Sequence, residues 1–162
     1  MPTKNHSAKI LLIGKGKIGK TIFNYRLSKE YSEFKEKSKN DLGLCPPLFL
    51  SCWIKLTMND KRIEYHILES SVQFRFHFNS DIFIIFYDSS DRNSFIRSQL
   101  LYNKNKLTKY DSIFVLLSSK YDANKKSVNS KNVVSDEEAL DYADKNNIFF
   151  SIYRVMKNMK LE

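Results

Sequence analysis

The run Ile13-Gly14-Lys15-Gly16-Lys17-Ile18-Gly19-Lys20-Thr21 decides the fold. It is a complete G-x-x-x-x-G-K-[ST] phosphate loop, and three of the four glycines in the 162 residues fall within it. Lys9-Ile10-Leu11-Leu12-Ile13 precedes it as a short apolar run of the kind that forms a buried strand. Thr21 to Leu27 follows with apolar spacing suited to a helix. Strand, loop and helix in that order are the context the motif requires.

The spacing has a chemical reason. Glycines let the backbone take positive φ and turn successive N–H groups toward an anion, while the next helix adds its own free N–H groups and the positive end of its dipole. The backbone of Gly14, Lys15, Gly16, Lys17, Ile18 and Gly19 would cradle a phosphate chain. Lys20 would meet the β- and γ-phosphates as a point charge, and the Thr21 hydroxyl would take one position on Mg²⁺.

Composition limits the classes open to the chain. A length of 162 residues with 42% hydrophobic content suits one globular domain, 1–162, with a sizeable core. The formal charge of +9 comes from lysines spread along the whole chain, and no stretch pairs aromatics with base-reading residues. Nucleic acid is therefore not an expected partner. Cys45 and Cys52 form neither a metal pattern nor a disulfide framework, and they read as reduced thiols inside a cell. No leader-like segment and no membrane-length apolar run occur, and the final residues carry no cysteine for prenylation. The expectation is a cytoplasmic monomer, peripheral to membranes at most, with no support for a lipid anchor.

Along the chain, Pro46-Pro47 excludes helix, and Ser51–Met58 and Arg62–Leu68 alternate about the turn Asn59-Asp60 as a hairpin. Ile82–Tyr87 and Ile113–Leu117 are continuous apolar runs, the pattern of strands buried on both faces. Between them, Asn93 to Lys104 has helical spacing at Phe95, Leu100 and Leu101. Ser135-Asp136-Glu137-Glu138 reads as a capping box opening a helix through Ala139, Leu140 and Ala143 to about Lys145, and Ile148 begins a last strand. Alternating strands and helices with one early hairpin predict an α/β fold, a mostly parallel sheet with helices on both faces.

Over essentially its whole length the chain resembles the small GTPases of the Ras superfamily, nearest the Rab branch. The phosphate loop carries the resemblance, with Lys61-Arg62-Ile63, Tyr87-Asp88-Ser89-Ser90-Asp91-Arg92-Asn93-Ser94-Phe95, and Ser135–Ala139 with Tyr142-Ala143, in order. The resemblance implies a P-loop GTPase-like three-layer sandwich on a six-stranded sheet with one antiparallel hairpin strand. It also implies GTP or GDP with Mg²⁺ as cofactors, and a protein effector or regulator bound through the switch surface. The base-recognition motif N-K-x-D is matched by Ser119-Lys120-Tyr121-Asp122. There Asp122 would accept the guanine N–H donors, the stem of Lys120 would lie over the ring, and Ser119 is too short for the asparagine contacts.

The departures lie in the switches. The family's D-T-A-G-Q becomes Glu69-Ser70-Ser71-Val72-Gln73. Glu69 would reach Mg²⁺ through water, Gln73 would position the attacking water, and Val72 replaces a glycine whose N–H meets the γ-phosphate. Pro46 stands where the family has a threonine ligand and offers neither a hydroxyl nor an N–H. The segment Phe74–Asn79 is shorter than the family's second switch, and no S-A-K motif is recognisable near Tyr153-Arg154-Val155. The expected function is a guanine-nucleotide-binding protein of signalling or vesicle traffic whose GTPase activity is weak or absent. The alternative is a pseudo-GTPase that binds a partner regardless of nucleotide. A small-molecule kinase fits least, since it would leave Lys120 and Asp122 unexplained and lacks an arginine-rich lid.

Overall fold

The structure, a computed structural model, describes residues 6–31, 49–58, 61–70, 80–106, 111–119 and 132–153. The elements are β1 (His6–Gly14), α1 (Lys20–Tyr31), β2 (Phe49–Met58), β3 (Lys61–Ser70), β4 (Ile82–Asp88), α2 (Arg92–Asn105), β5 (Ile113–Ser119), α3 (Asp136–Lys145) and β6 (Phe149–Ile152). The strands form one six-stranded sheet in the order β2-β3-β1-β4-β5-β6. Only the β2–β3 hairpin is antiparallel, and every other neighbouring pair is parallel. The expected α/β architecture is the observed one. Among the described residues no helix is long and apolar enough to cross a membrane.

Strict alternation divides the central strands between two cores. Leu11 and Ile13 of β1, Phe83, Ile85 and Tyr87 of β4, and Phe114 and Leu116 of β5 pack on one face against Phe95, Leu101 and Tyr102 of α2 and Ala139 and Ala143 of α3. Leu12, Ile67, Phe86 and Leu117 point the other way, with Ile18 and with Phe23 and Leu27 of α1. The small Ala139 and Ala143, one turn apart and both fully buried, let α3 approach the sheet closely.

Two apolar positions read from sequence do not serve the core. Leu100 is 63% exposed and Leu140 is 47% exposed. At roughly 100° per residue, Leu100 falls opposite the face made by Ser94, Phe95, Ser98, Leu101 and Tyr102. The buried serines on that face bond to nearby backbone, Ser98 within α2 and Ser94 to the residues just before it. Ser94 Oγ donates to the Asp91 carbonyl at 2.7 Å, and Ser98 Oγ donates to the Phe95 carbonyl at 2.6 Å.

The capping box is half realised. Ser135 Oγ accepts from the Glu138 N–H at 3.1 Å, as expected. The Glu138 carboxylate instead takes both guanidinium nitrogens of Arg92, at 2.7 and 2.8 Å, and so ties the start of α3 to the start of α2. A planar guanidinium matches a carboxylate in two parallel bonds, which a lone backbone N–H cannot offer.

Candidate functional site

Register brings the site together. β1 lies between β3 and β4, with Leu12 opposite Glu69 and Gly14 opposite Phe86. β4 and β5 pair so that Asp88 lies opposite Ser119. The carboxyl ends of four parallel strands therefore converge where β1 gives way to the loop and α1, the usual place for a ligand in such sheets.

The loop Gly14–Thr21 is wound tightly. Gly14 has φ +148° and Gly19 has φ +94°, while Lys17 takes φ +62° as a non-glycine. A Cβ on Gly14 would lie 2.7 Å from the Phe86 carbonyl oxygen and 2.7 Å from Ile18 Cδ1, whereas one on Gly16 would meet nothing within 4 Å among the described residues. Gly14 thus serves close packing of loop on strand. Gly16 has no such packing among the described residues, as suits a backbone meant for a ligand. Ile18 is 3% exposed and anchors the loop in the core beneath α1.

Each of the loop's lysines is placed differently. Lys20 is 3% exposed, and its ammonium donates to the carbonyls of Lys15 at 2.8 Å and Gly14 at 3.3 Å, which turns it into the loop. Burial pushes its pKa below the ordinary lysine value, and the nearby Glu69 carboxylate opposes that shift only in part. Lys15 points outward and pairs with Asp91 at 2.7 Å. Asp91 is also the N-cap of α2, accepting from the Asn93 N–H at 3.1 Å, and the Lys15 ammonium holds its carboxyl below the usual carboxylate range. The phrase Tyr87–Phe95 therefore has a structural purpose. Asp88 accepts from the N–H and hydroxyl of Ser90, its own N–H goes to Ser94 Oγ, and Asp91 clasps the phosphate loop.

The sequence-derived metal pair is brought into contact. Thr21 Oγ1 donates to Glu69 Oε1 at 2.8 Å, and Glu69 is only 9% exposed. Glu69 Oε2 is buried with no hydrogen-bond partner among the described residues. A buried carboxylate oxygen left without a donor is costly. A hydroxyl and a carboxylate at the mouth of a phosphate loop are hard oxygen donors that fit Mg²⁺, which binds through one or two carboxylates together with substrate phosphates. Among the described residues no three His, Cys, Asp or Glu side chains cluster as a closed metal cage. Mg²⁺ at a phosphate does not require one.

Ser119 ends β5 fully buried, and its hydroxyl donates to the Tyr87 carbonyl at 2.9 Å, binding β5 to β4 just before the base-recognition motif. Tyr153, near the expected third base motif, packs edge-on to Phe23 with its ring centroid 5.0 Å away, and Arg26 lies over its face. Gln73, Lys120 and Asp122 lie outside the described residues, as do Pro46, Pro47, Val72 and Phe74–Asn79. The structure thus joins Gly14–Thr21 with Glu69 and sets Ser119 on the same sheet edge. Asp91 was missed as part of the site, though an aspartate three residues before a serine at a helix start is an N-cap signal.

The Ras family profile matches residues 9–161. Ras-related protein Rab-21 of Geodia cydonium is 28% identical over 144 residues, which cover 85% of this chain and 58% of that protein. Ras-related protein RabH of Dictyostelium discoideum is 30% identical over 154 residues, covering 90% and 71%. The chain therefore spans less than two thirds of the length of the first of these relatives and somewhat more of the second.

Proposed function

The chain belongs to the Ras family as a divergent, Rab-like member, and we propose on that premise that it binds GTP and GDP with Mg²⁺ and hydrolyses GTP slowly or not at all. The observation that carries this reading is the contact between Thr21 and Glu69 beside an intact loop, with Glu69 Oε2 unpartnered among the described residues and Lys20 turned inward. Bound Mg²⁺ would neutralise charge on the β- and γ-phosphates. Lys20 and the loop N–H groups would bind the phosphates, Thr21 and Glu69 would hold the ion, and Lys120 and Asp122 would read the base. We further read 1–162 as one domain, acting as a cytoplasmic monomer whose switch surface meets a protein effector or regulator.

The deciding experiment is competition between guanine and adenine nucleotides. GDP is expected to bind the parent protein more tightly than ADP, and Asp122→Ala should erase the preference, because the guanine donors lose their charged acceptor. Calorimetry showing no heat with either nucleotide in Mg²⁺ would replace this reading with that of a partner-binding pseudo-GTPase.

Hydrolysis gives a second expectation. Phosphoryl transfer depends on positioning and charge stabilisation, and Gln73 alone cannot replace a missing threonine ligand and a switch glycine. Single-turnover assays should show slow phosphate release, changed by Gln73→Leu less than about threefold. Fast release abolished by that substitution would refute it.

A further inference from the structure

We propose that Lys17 is a second phosphate-directed cation of the loop, one that engages the terminal phosphate and favours a nucleoside triphosphate over the diphosphate. The inference rests on the nucleotide-site reading above and concerns a residue that the motif leaves unspecified.

Three ammonium groups crowd the segment Ile13–Thr21, which contains no acidic residue. Two are accounted for. Lys20 is buried, and its head group is held by the loop's own carbonyls. Lys15 is paired with Asp91. Lys17 is exposed, and no hydrogen bond or ion pair engages its side chain among the described residues. Among the described residues its charge is the uncompensated one at the loop.

The backbone adds an independent argument. At φ +62° Lys17 occupies the left-handed region, which an L residue bearing a Cβ enters only at a cost and glycine enters freely. A costly conformation is kept where surrounding structure imposes it, and such outliers gather at ligand-binding turns. Here Gly14 packed on Phe86 and Ile18 anchored in the core fix the loop on both sides of Lys17. A lysine standing where glycine would fit better keeps a cation at the loop's mouth.

The chemistry selects the terminal phosphate. A triphosphate brings more negative charge than a diphosphate, the sequence lacks the usual threonine ligand at Pro46, and the β-branched Val72 restricts the backbone whose N–H would meet the γ-phosphate. With that ligand set weakened, an exposed ammonium on the loop would add to Lys20 in meeting that charge.

The test is equilibrium binding of GTP and GDP with Mg²⁺ to the full chain at low and high salt. Lys17→Met is expected to weaken GTP about tenfold and GDP less than about threefold at low salt, as loss of one charged contact does. The GTP loss should shrink at high salt, where exposed charges are screened. Lys104→Met, which removes an exposed lysine from the last turn of α2, should change neither. Lys17→Gly removes the same ammonium while relieving the backbone. It should lose GTP affinity as Lys17→Met does, yet raise the Tm of the nucleotide-free protein by about 2 °C. Affinity and stability then move in opposite directions, which a merely structural residue would not produce. If Lys17→Met binds GTP within about twofold of the parent at low salt while Lys20→Ala loses binding, the proposal is overturned and the nucleotide site stands. A parent protein that binds no GTP overturns both.

Discussion

Gly14→Ala is expected to destabilise the nucleotide-free protein by about 3–5 kcal/mol, a large fraction of the stability of an ordinary domain. The new methyl would stand 2.7 Å from the Phe86 carbonyl oxygen, a backbone atom held by the sheet between β1 and β4. It would also stand 2.7 Å from Ile18 Cδ1 and 3.1 Å from Phe86 Cβ. Ile18 could rotate away only by leaving the core it anchors. The backbone at φ +148° adds its own cost for any residue with a Cβ. Gly16→Ala is the matched comparison, because no described residue lies within 4 Å of its added methyl and its φ is not positive. That change should leave stability unaltered, or raise it by about 0.4–1 kcal/mol through lost freedom of the unfolded chain. Urea unfolding of the two variants measures the contrast. A Gly14→Ala protein as stable as Gly16→Ala would mean that the loop does not pack on Phe86 as described.

The elements that sequence made legible are those whose signal is local. Glycine spacing located the phosphate loop, alternation located the hairpin, and the apolar runs at Ile82 and Ile113 located the buried strands. Their extents were less legible. β1 runs from His6 to Gly14 because it is paired on both sides, and α1 continues to Tyr31, beyond the apolar spacing that marked it. Leu100 was misjudged because hydrophobicity alone does not say which arc of a helix meets the sheet. Ser94 and Ser98 fill that arc instead, with hydroxyls satisfied by backbone of the helix and of the residues just before it. Of the site, the loop could be read because its motif is contiguous. The Thr21–Glu69 contact could be named only as a common metal pair, since its partners lie 48 residues apart. The clasp of Lys15 to Asp91, 76 residues apart, left no trace that one sequence could show.

Lys20→Ala carries the largest expected effect on binding. The Lys20 ammonium is nearly excluded from solvent, yet its partners are two backbone carbonyls of the loop rather than an anion. Burial depresses its pKa despite the neighbouring Glu69. A phosphate entering the loop would supply the countercharge that the carbonyls cannot, so much of the interaction is made only when ligand is present. Removing the ammonium should weaken GDP by about 3 kcal/mol, roughly two orders of magnitude, the upper end for a contact to a charged group. The fold should persist, because Gly14, Ile18 and Phe86 pack without it. Thermal melts separate the two effects. Saturating GDP should raise the parent's Tm, since a ligand at about 100 times its Kd adds about 2.7 kcal/mol, and should raise the variant's Tm far less. Protonation gives an independent readout. Phosphate favours the charged lysine, so the bound pKa lies above the depressed free value, and binding should take up protons at alkaline pH between the two. That uptake should vanish in Lys20→Ala. Equal GDP affinity in both proteins, with equal proton uptake, would remove Lys20 from the site and with it the reading of the loop as a phosphate cradle.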